Sequence, residues 1–468
     1  MELRDAETGA LLATGRAPHT ATTPPRSEQD PQEWWEALRL ALAAALGERP
    51  DLSGSVVGIS VAAQQHGLVL LDEQRRVLRA AKLWNDTESA PDAAWLMGRL
   101  GGPADWADAC GSVPTAAFTI TKLSWVHRSE PEVFARLAHV CLPHDWLTWR
   151  LSGELVTDRG DASGTGYWSS ADGWRTDLLE IVDAATGWSG ALPRVGGPAE
   201  TAGKLTGPAA EALGLPEGIT VAVGTGDNMA AALRLGLRLG DAVMSLGTSG
   251  TVFAVSDRQT ADPTGAVCGF ADATGRYLPL VCTLNATKVT DAVARLLGMD
   301  HDALSAAALE APAGAGGLVL VPYLDGERTP DRPKATGLLA GIRSDVSPGQ
   351  VARAAFEGVV CGLLDGLDAL RAVGVDAGSG QTFLIGGGAR SAGYRRVVAD
   401  LTGVAISVPR EADHVAAGAC VQAAAAWAGR SPAEVTATWG GGPADVVEPL
   451  GDSSSADVRA AYAAARDR

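Results

Sequence analysis

The stretch Val221–Ala232 (VAVGTGDNMAAA) sets one carboxylate where chemistry can be done. Ile219, Val221 and Val223 read as a buried strand, Gly224-Thr225-Gly226 breaks it, and Asp227-Asn228 opens an alanine-rich helix. Open α/β sheets bind ligands outside such strand ends. Asp227 is therefore a candidate general base, although an Asp at such a turn also serves as a helix N-cap. Two glycine loops could bring it an anion. Gly247-Thr248-Ser249-Gly250 lies between two strand-like runs. Its N–H groups and hydroxyls suit a phosphate nest, or a plain hairpin turn. Gly386-Gly387-Gly388-Ala389-Arg390 follows a strand and precedes a helix. Three glycines let a flat ligand or a phosphate lie against backbone, or provide a turn with positive φ.

Two further groups suit a polyol. Gln64-Gln65-His66-Gly67 ends the β-branched run Val56–Ala62, placing an imidazole between polar neighbours at a strand end. Trp84-Asn85-Asp86 offers a flat apolar face, an amide and a carboxylate, or equally an aromatic anchor followed by an Asx turn. Lys122, Asp145, Asp161 and Arg328 are single charges whose default is a solvated face or a cap. The chain has no GxSxG elbow, no HExxH or Cys/His cluster, no GxxxxGK[ST] and no GxGxxG with a ribose-binding acid. These absences argue against a serine hydrolase, a protein-held transition metal (no metal-ligating residues are assigned), a P-loop and a dinucleotide fold.

At 468 residues the chain exceeds one core, and two domains are expected. With 46% hydrophobic and 20% charged residues it is globular. A net charge of −17 argues against nucleic acid or an anionic membrane as partner, while leaving room for ATP on local donors. The six cysteines lie far apart without CxxC spacing and read as buried thiols of a reducing, cytoplasmic setting. No secretory signal or membrane-spanning run is present.

The elements that must position these groups alternate. A strand pair is expected at 2–5 and 10–14, then a helix capped by Asp30 with Pro31 at N1 and Trp35, Leu38 and Leu42 on one face. A central strand is expected over Val56–Ala62 and a hairpin over 69–79. Helices are expected near Pro91–Leu100, at Lys122–Arg128, Glu132–Val140 and Pro143–Leu151, and a loop at Asp158–Trp168. The second half pairs Ala242–Leu246 with Thr251–Val255. It continues with a strand at Leu318–Tyr323 and a long helix at Ser347–Leu370. Strands at Thr382–Ile385 and Val404–Val408 and helices at Ala412–Ala428 and Ser455–Ala464 follow. This pattern predicts an α/β protein with mixed sheets covered by helices, twice over, and a cleft between.

Taken together, these residues resemble the FGGY carbohydrate kinases over nearly the whole chain. Ser27–Pro31 with Trp34-Trp35, Gln64–Gly67, Leu83–Asp86, Asp161-Ala162-Ser163-Gly164-Thr165, Gly226-Asp227-Asn228, Leu246–Gly250 and Gly386–Arg390 match in order. Gly337, Leu339, Gly341, Ile342, Gln350, Val351, Ala354, Ala355, Phe356 and Glu357 meet the family's C-terminal signature at every defined position. A second signature around Lys122–Val126 departs at Ala117 and Ser129, and Tyr323–Pro330 is similar to the pentulose-phosphorylating branch. Gln65 stands where close relatives often carry Met, and Glu88 where they often carry Arg.

The resemblance implies two ribonuclease-H-like (actin-like ATPase) domains, 1–238 and 239–468, closing on a cleft. It implies ATP with Mg²⁺ as cofactors and a small sugar as partner. The expected reaction is phosphorylation of D-xylulose, with ribulose, fuculose or gluconate as alternative acceptors. Asp227 would be the base. Gln65, His66, Trp84, Asn85, Asp86 and Asn228 would hold the sugar. Gly247, Thr248 and Ser249 would hold the phosphates, and Gly386, Gly387, Gly388, Ala389 and Arg390 the adenosine. A homodimer is a family-level expectation. Such kinases open with a strand carrying Asp, Gly-Thr and Lys, which grips phosphate and magnesium; the residues from Met1 begin past it. Two expectations follow: a start placed too late, or a truncated chain that binds sugar or nucleotide without catalysis.

Overall fold

A computed structural model describes residues 1–411, 413–451 and 454–468. The first half is built from small sheets. Thr220–Ala222 is central in a three-stranded sheet, antiparallel to Thr201–Lys204 and parallel to Gly58–Ile59. The next strand pair continues this line, Thr225–Gly226 running parallel to Ala62–Ala63. The expected strand Val56–Ala62 is thus two short pieces. Its partner also breaks, because Gly224 takes φ +89° between the two pairings.

The second half holds a seven-stranded mixed sheet. Its order is Cys268–Ala271, Tyr277–Thr283, Gly250–Ala254, Gly240–Leu246, Ala377–Ile385, Ile406–Pro409 and Ala444–Val447. Gly240–Leu246 and Ala377–Ile385 are parallel, with Ser245 opposite Ile385, so both strands finish at the same edge. The helix Pro348–Ala372 lies on this sheet with sixteen buried residues. Ser347 and Gln350 form its capping box, as the S-P-x-Q sequence dictates. No helix among the described residues is long and apolar enough to cross a membrane.

One helix of the second half, His414–Ala428, packs on Asp227–Leu235 of the first. The crossing is backbone-close: a Cβ on Gly418 would sit 1.9 Å from the Ala230 carbonyl oxygen. Gln422 of this helix donates from Nε2 to the Gly224 carbonyl (3.0 Å) and accepts from the Ser60 hydroxyl (3.1 Å). Ala412, the expected start of this helix, lies outside the described residues.

Most expected elements are found, with three further differences. Glu132–Val140 is not one helix: Pro131–Phe134 makes a single turn, and His139–Cys141 is a strand antiparallel to Val69–Leu71. Val140 and Cys141 are both buried, in different core clusters, as successive residues of a strand covered on both faces are. Asp158–Trp168 is not all loop, because Asp158 caps a short helix at Arg159–Ser163. Ala444–Val447 is an edge strand for which the sequence pattern predicts no element.

Candidate functional site

Asp227 is the first residue of its helix, and Gly226 is the N-cap. This corrects the capping role weighed from the sequence. The Asp227 Oδ1 accepts from the Asn228 N–H (2.7 Å) and the Asn228 Nδ2 (2.8 Å). The other carboxylate oxygen has no hydrogen-bond partner among the described residues. Burial pushes the Asp227 carboxyl up to about 6, against the two bonds from Asn228, which pull it down. A carboxylate poised there is a competent proton acceptor at neutral pH.

Asn228 ties this group to the second half: its Oδ1 accepts from the Thr251 hydroxyl at 3.5 Å. Thr251 lies just past the loop Gly247–Gly250, whose ends are fixed by the Leu246–Gly250 pairing. The loop is further held by Ala286 N–H donating to the Thr248 carbonyl (3.2 Å) and Thr287 N–H to the Gly247 carbonyl (3.0 Å). The hydroxyls of Thr248 and Ser249 have no partner among the described residues. Gly386–Arg390 lies against the same loop. A Cβ on Gly386 would sit 2.6 Å from the Leu246 carbonyl oxygen, and one on Gly388 2.8 Å from the Leu246 Cβ. Gly386 and Gly387 are exposed, Gly388 and Ala389 buried, and Arg390 faces solvent. The two glycine loops thus meet at Leu246.

Gly386 combines φ +88° with that close approach, so Gly386→Ala is strained twice over. Strain of this kind costs about 1–3 kcal/mol. The expected result is a loss of stability of that size, measured by urea denaturation.

Polar groups of the first half reach the turn before Asp227. A Cβ on Gly226 would sit 2.7 Å from the Gln65 Cγ, so Gln65 packs directly on the turn before Asp227. Gln65 Nε2 donates to the Gly160 carbonyl (3.4 Å). His66 adopts φ +68° and is buried against Phe118 and Phe270 (ring centroids 4.8 and 5.5 Å). Its Nδ1 is 2.6 Å from the Gly164 carbonyl, which can only accept, so Nδ1 carries the proton and Nε2 keeps a lone pair. Burial, with Lys122 nearby, pushes the imidazole down to about 3, so it stays neutral. Lys122 itself is buried, its ammonium donating to the Ala117 and Phe118 carbonyls.

Trp84 and Asn85 are half-buried, and the buried Asn85 Oδ1 has no partner among the described residues. The Trp84 N–H reaches the Gln64 Oε1 at 3.5 Å, joining the two polar stretches. Asp86 is fully buried and differently used. Its Oδ2 accepts from the Ser27 N–H (2.9 Å) and Lys82 Nζ (3.0 Å), and its Oδ1 from the Glu88 N–H (3.1 Å). Lys82 sits among Glu28 (3.2 Å), Asp86 and Glu88 (2.6 Å), over the Trp125 ring at 3.9 Å. Asp86 therefore shapes the loop that presents Trp84 and Asn85, a use its position in Trp-Asn-Asp does not reveal.

Residues 3–234 match the FGGY family of carbohydrate kinases, N-terminal domain, and residues 242–427 its C-terminal domain. The chain is 47% identical over 438 residues to the xylulose kinase of Streptomyces rubiginosus, covering 93% of this chain and 87% of that protein. It is 38% identical over 382 residues to the xylulose kinase of Escherichia coli K12, covering 81% and 77%. The crystal structure of xylulose kinase from Bifidobacterium adolescentis superposes with a TM-score of 0.84 at 39% identity, covering 99% of this chain and 96% of that one.

Proposed function

The chain belongs to the FGGY family of carbohydrate kinases, and on that premise we propose that it transfers the γ-phosphoryl group of ATP to the terminal hydroxyl of D-xylulose, with Asp227 as general base. Its fold is the two-domain, actin-like ATPase arrangement of these kinases. The reading divides the chain into a sugar-binding domain, 1–238, and an ATP-binding domain, 239–468.

One observation supports the mechanistic assignment: the Thr251 hydroxyl donates to Asn228, the neighbour that also donates to Asp227 Oδ1, and so links Asp227 to the strand that follows the Gly247–Gly250 loop. An acceptor hydroxyl lying between Asp227 and that loop faces a base on one side and the phosphate loop on the other. The neutral His66 accepts a sugar hydroxyl at Nε2, Asn85 Oδ1 accepts another, and the indole of Trp84 covers a carbon face. Gln65 and Asn228 complete the polar wall, and Asp86 holds the Trp84–Asn85 loop in place. Gly386–Arg390 receives the adenosine. The unpartnered hydroxyls of Thr248 and Ser249 are hard oxygen donors suited to the Mg²⁺ that accompanies ATP. When bound, the ion neutralises charge on the phosphates; positioning and charge neutralisation dominate phosphoryl transfer.

Asp227 accepts the proton late, as the hydroxyl oxygen bonds to phosphorus, so a carboxylate is basic enough. It works only when ionised. Because its pKa lies at about 6, kcat/KM is expected to fall as pH drops through about 6 and to level off above it. The check is a pH profile of ADP release with D-xylulose; a profile flat down to about pH 4.5 contradicts the base assignment.

A further inference from the structure

The helix Arg159–Ser163 sits under the site and makes more polar contacts than its five residues need for folding. Its N-cap, Asp158, accepts from the Gly160 and Asp161 N–H groups (both 2.9 Å). Its Oδ2 also accepts from the Thr225 hydroxyl at 2.7 Å, two residues before Asp227. Asp161 faces elsewhere, with Oδ2 2.5 Å from His144 Nδ1. His144 Nε2 in turn lies 3.2 Å from the Asp145 Oδ1, and Asp145 Oδ2 accepts from the Leu142 N–H (2.8 Å). The imidazole edge wedges against the catalytic turn, since a Cβ on Gly224 would meet His144 Cδ2 at 2.7 Å.

The same helix reaches the sugar side and the other domain. The Gly164 and Gly160 carbonyls take His66 and Gln65. The Ser163 hydroxyl accepts from the Ala271 N–H of the seven-stranded sheet at 2.9 Å. His144, Asp145 and Asp161 are fully buried. Burial works against charge on His144, and Asp145 and Asp161 outweigh it, raising the imidazole to about 9. Asp158, Cys141 and Tyr167 are the other titratable groups around this cluster.

We propose that His144, Asp158, Asp161 and Thr225 are positioning residues for the transfer step. The buried His144–Asp161 pair fixes the short helix, and Asp158, through Thr225, fixes the turn that aims Asp227. None of them touches substrate. The proposal rests on Asp227 being the base. A buried ion pair is a weak source of stability but a rigid register device. Such rigidity is valuable here because misplacing a catalytic group by about 1 Å can cost roughly 10²-fold in rate.

The test is steady-state kinetics on the whole chain with D-xylulose and ATP, beside thermal melts. Thr225→Val keeps shape and removes the hydroxyl; it is expected to lower kcat by about 10- to 100-fold while both KM values stay within about threefold. Thr225→Ser, which restores the hydroxyl, is expected to recover most of that loss. His144→Gln lowers kcat similarly, and His144→Lys, which returns a cation between the two carboxylates, restores at least part of it. The proposal is overturned if Thr225→Val keeps kcat within about threefold, if the change falls in KM instead, or if Ser is no better than Val. Loss of the folded state in both Thr225→Val and Asp158→Asn would assign the network to folding alone and overturn it too. A wild-type chain that releases no ADP with any sugar overturns this inference together with the kinase reading. An active wild type with an unaffected Thr225→Val overturns this inference alone.

Discussion

Asp227→Asn lowers kcat with D-xylulose by about 10²–10⁴, the range set by loss of a general base. The substitution is nearly isosteric and its amide oxygen can still accept from Asn228, so both KM values stay within about threefold. The helix is not at stake, because Gly226 rather than Asp227 occupies its N-cap. The effect therefore reports on chemistry. Turnover surviving within about tenfold would mean that phosphoryl transfer proceeds without this base.

Lys82→Met has the largest expected effect on stability. Lys82 is fully buried and holds Asp86, Glu28 and Glu88 together. Met fills the same channel and keeps contact with Trp125, but leaves the Asp86 carboxylate buried without its cation. Breaking a buried pair from one side costs about 3–5 kcal/mol. Urea denaturation is expected to show a loss of that size, and Lys82→Met with Asp86→Asn is expected to lose less than the sum of the two single changes. The loop carrying Trp84 and Asn85 hangs on Asp86, so the sugar KM rises while the ATP KM does not. A loss below about 1 kcal/mol would show that the ammonium is solvated rather than structural.

Local patterns made much of the architecture legible. Asp30-Pro31 and Ser347-Pro348 start helices because their side chains and missing N–H satisfy the first turn, and both are found doing so. The two strands around Gly247–Gly250 pair as expected, since buried apolar residues line both faces. The misread segments are those where local pattern is ambiguous. Val140-Cys141 is a short apolar run, and only pairing with Val69–Leu71 makes it a strand.

The candidate site divides along the same line. The residues proposed to face ligand are legible from type and spacing. Asp86 looked like one of them, yet its carboxylate is bound by Lys82 and Ser27, 59 positions away in the latter case. His144, Asp158, Thr225 and Gln422 gave little or no signal, because their roles depend on partners far along the chain. Glycines at 164, 226 and 386 read as turns. The structure shows that each is also a close approach that a side chain would block. Such three-dimensional reasons leave no periodicity in a single sequence.

The most direct measurement is coupled ADP release by the whole chain over a panel of D-xylulose, ribulose, fuculose and gluconate at saturating ATP and Mg²⁺. The predicted result is turnover with D-xylulose above each of the others, and D-xylulose 5-phosphate as product. Faster turnover of another sugar would contradict the acceptor assignment, and no ADP release with any of the four would contradict the kinase itself.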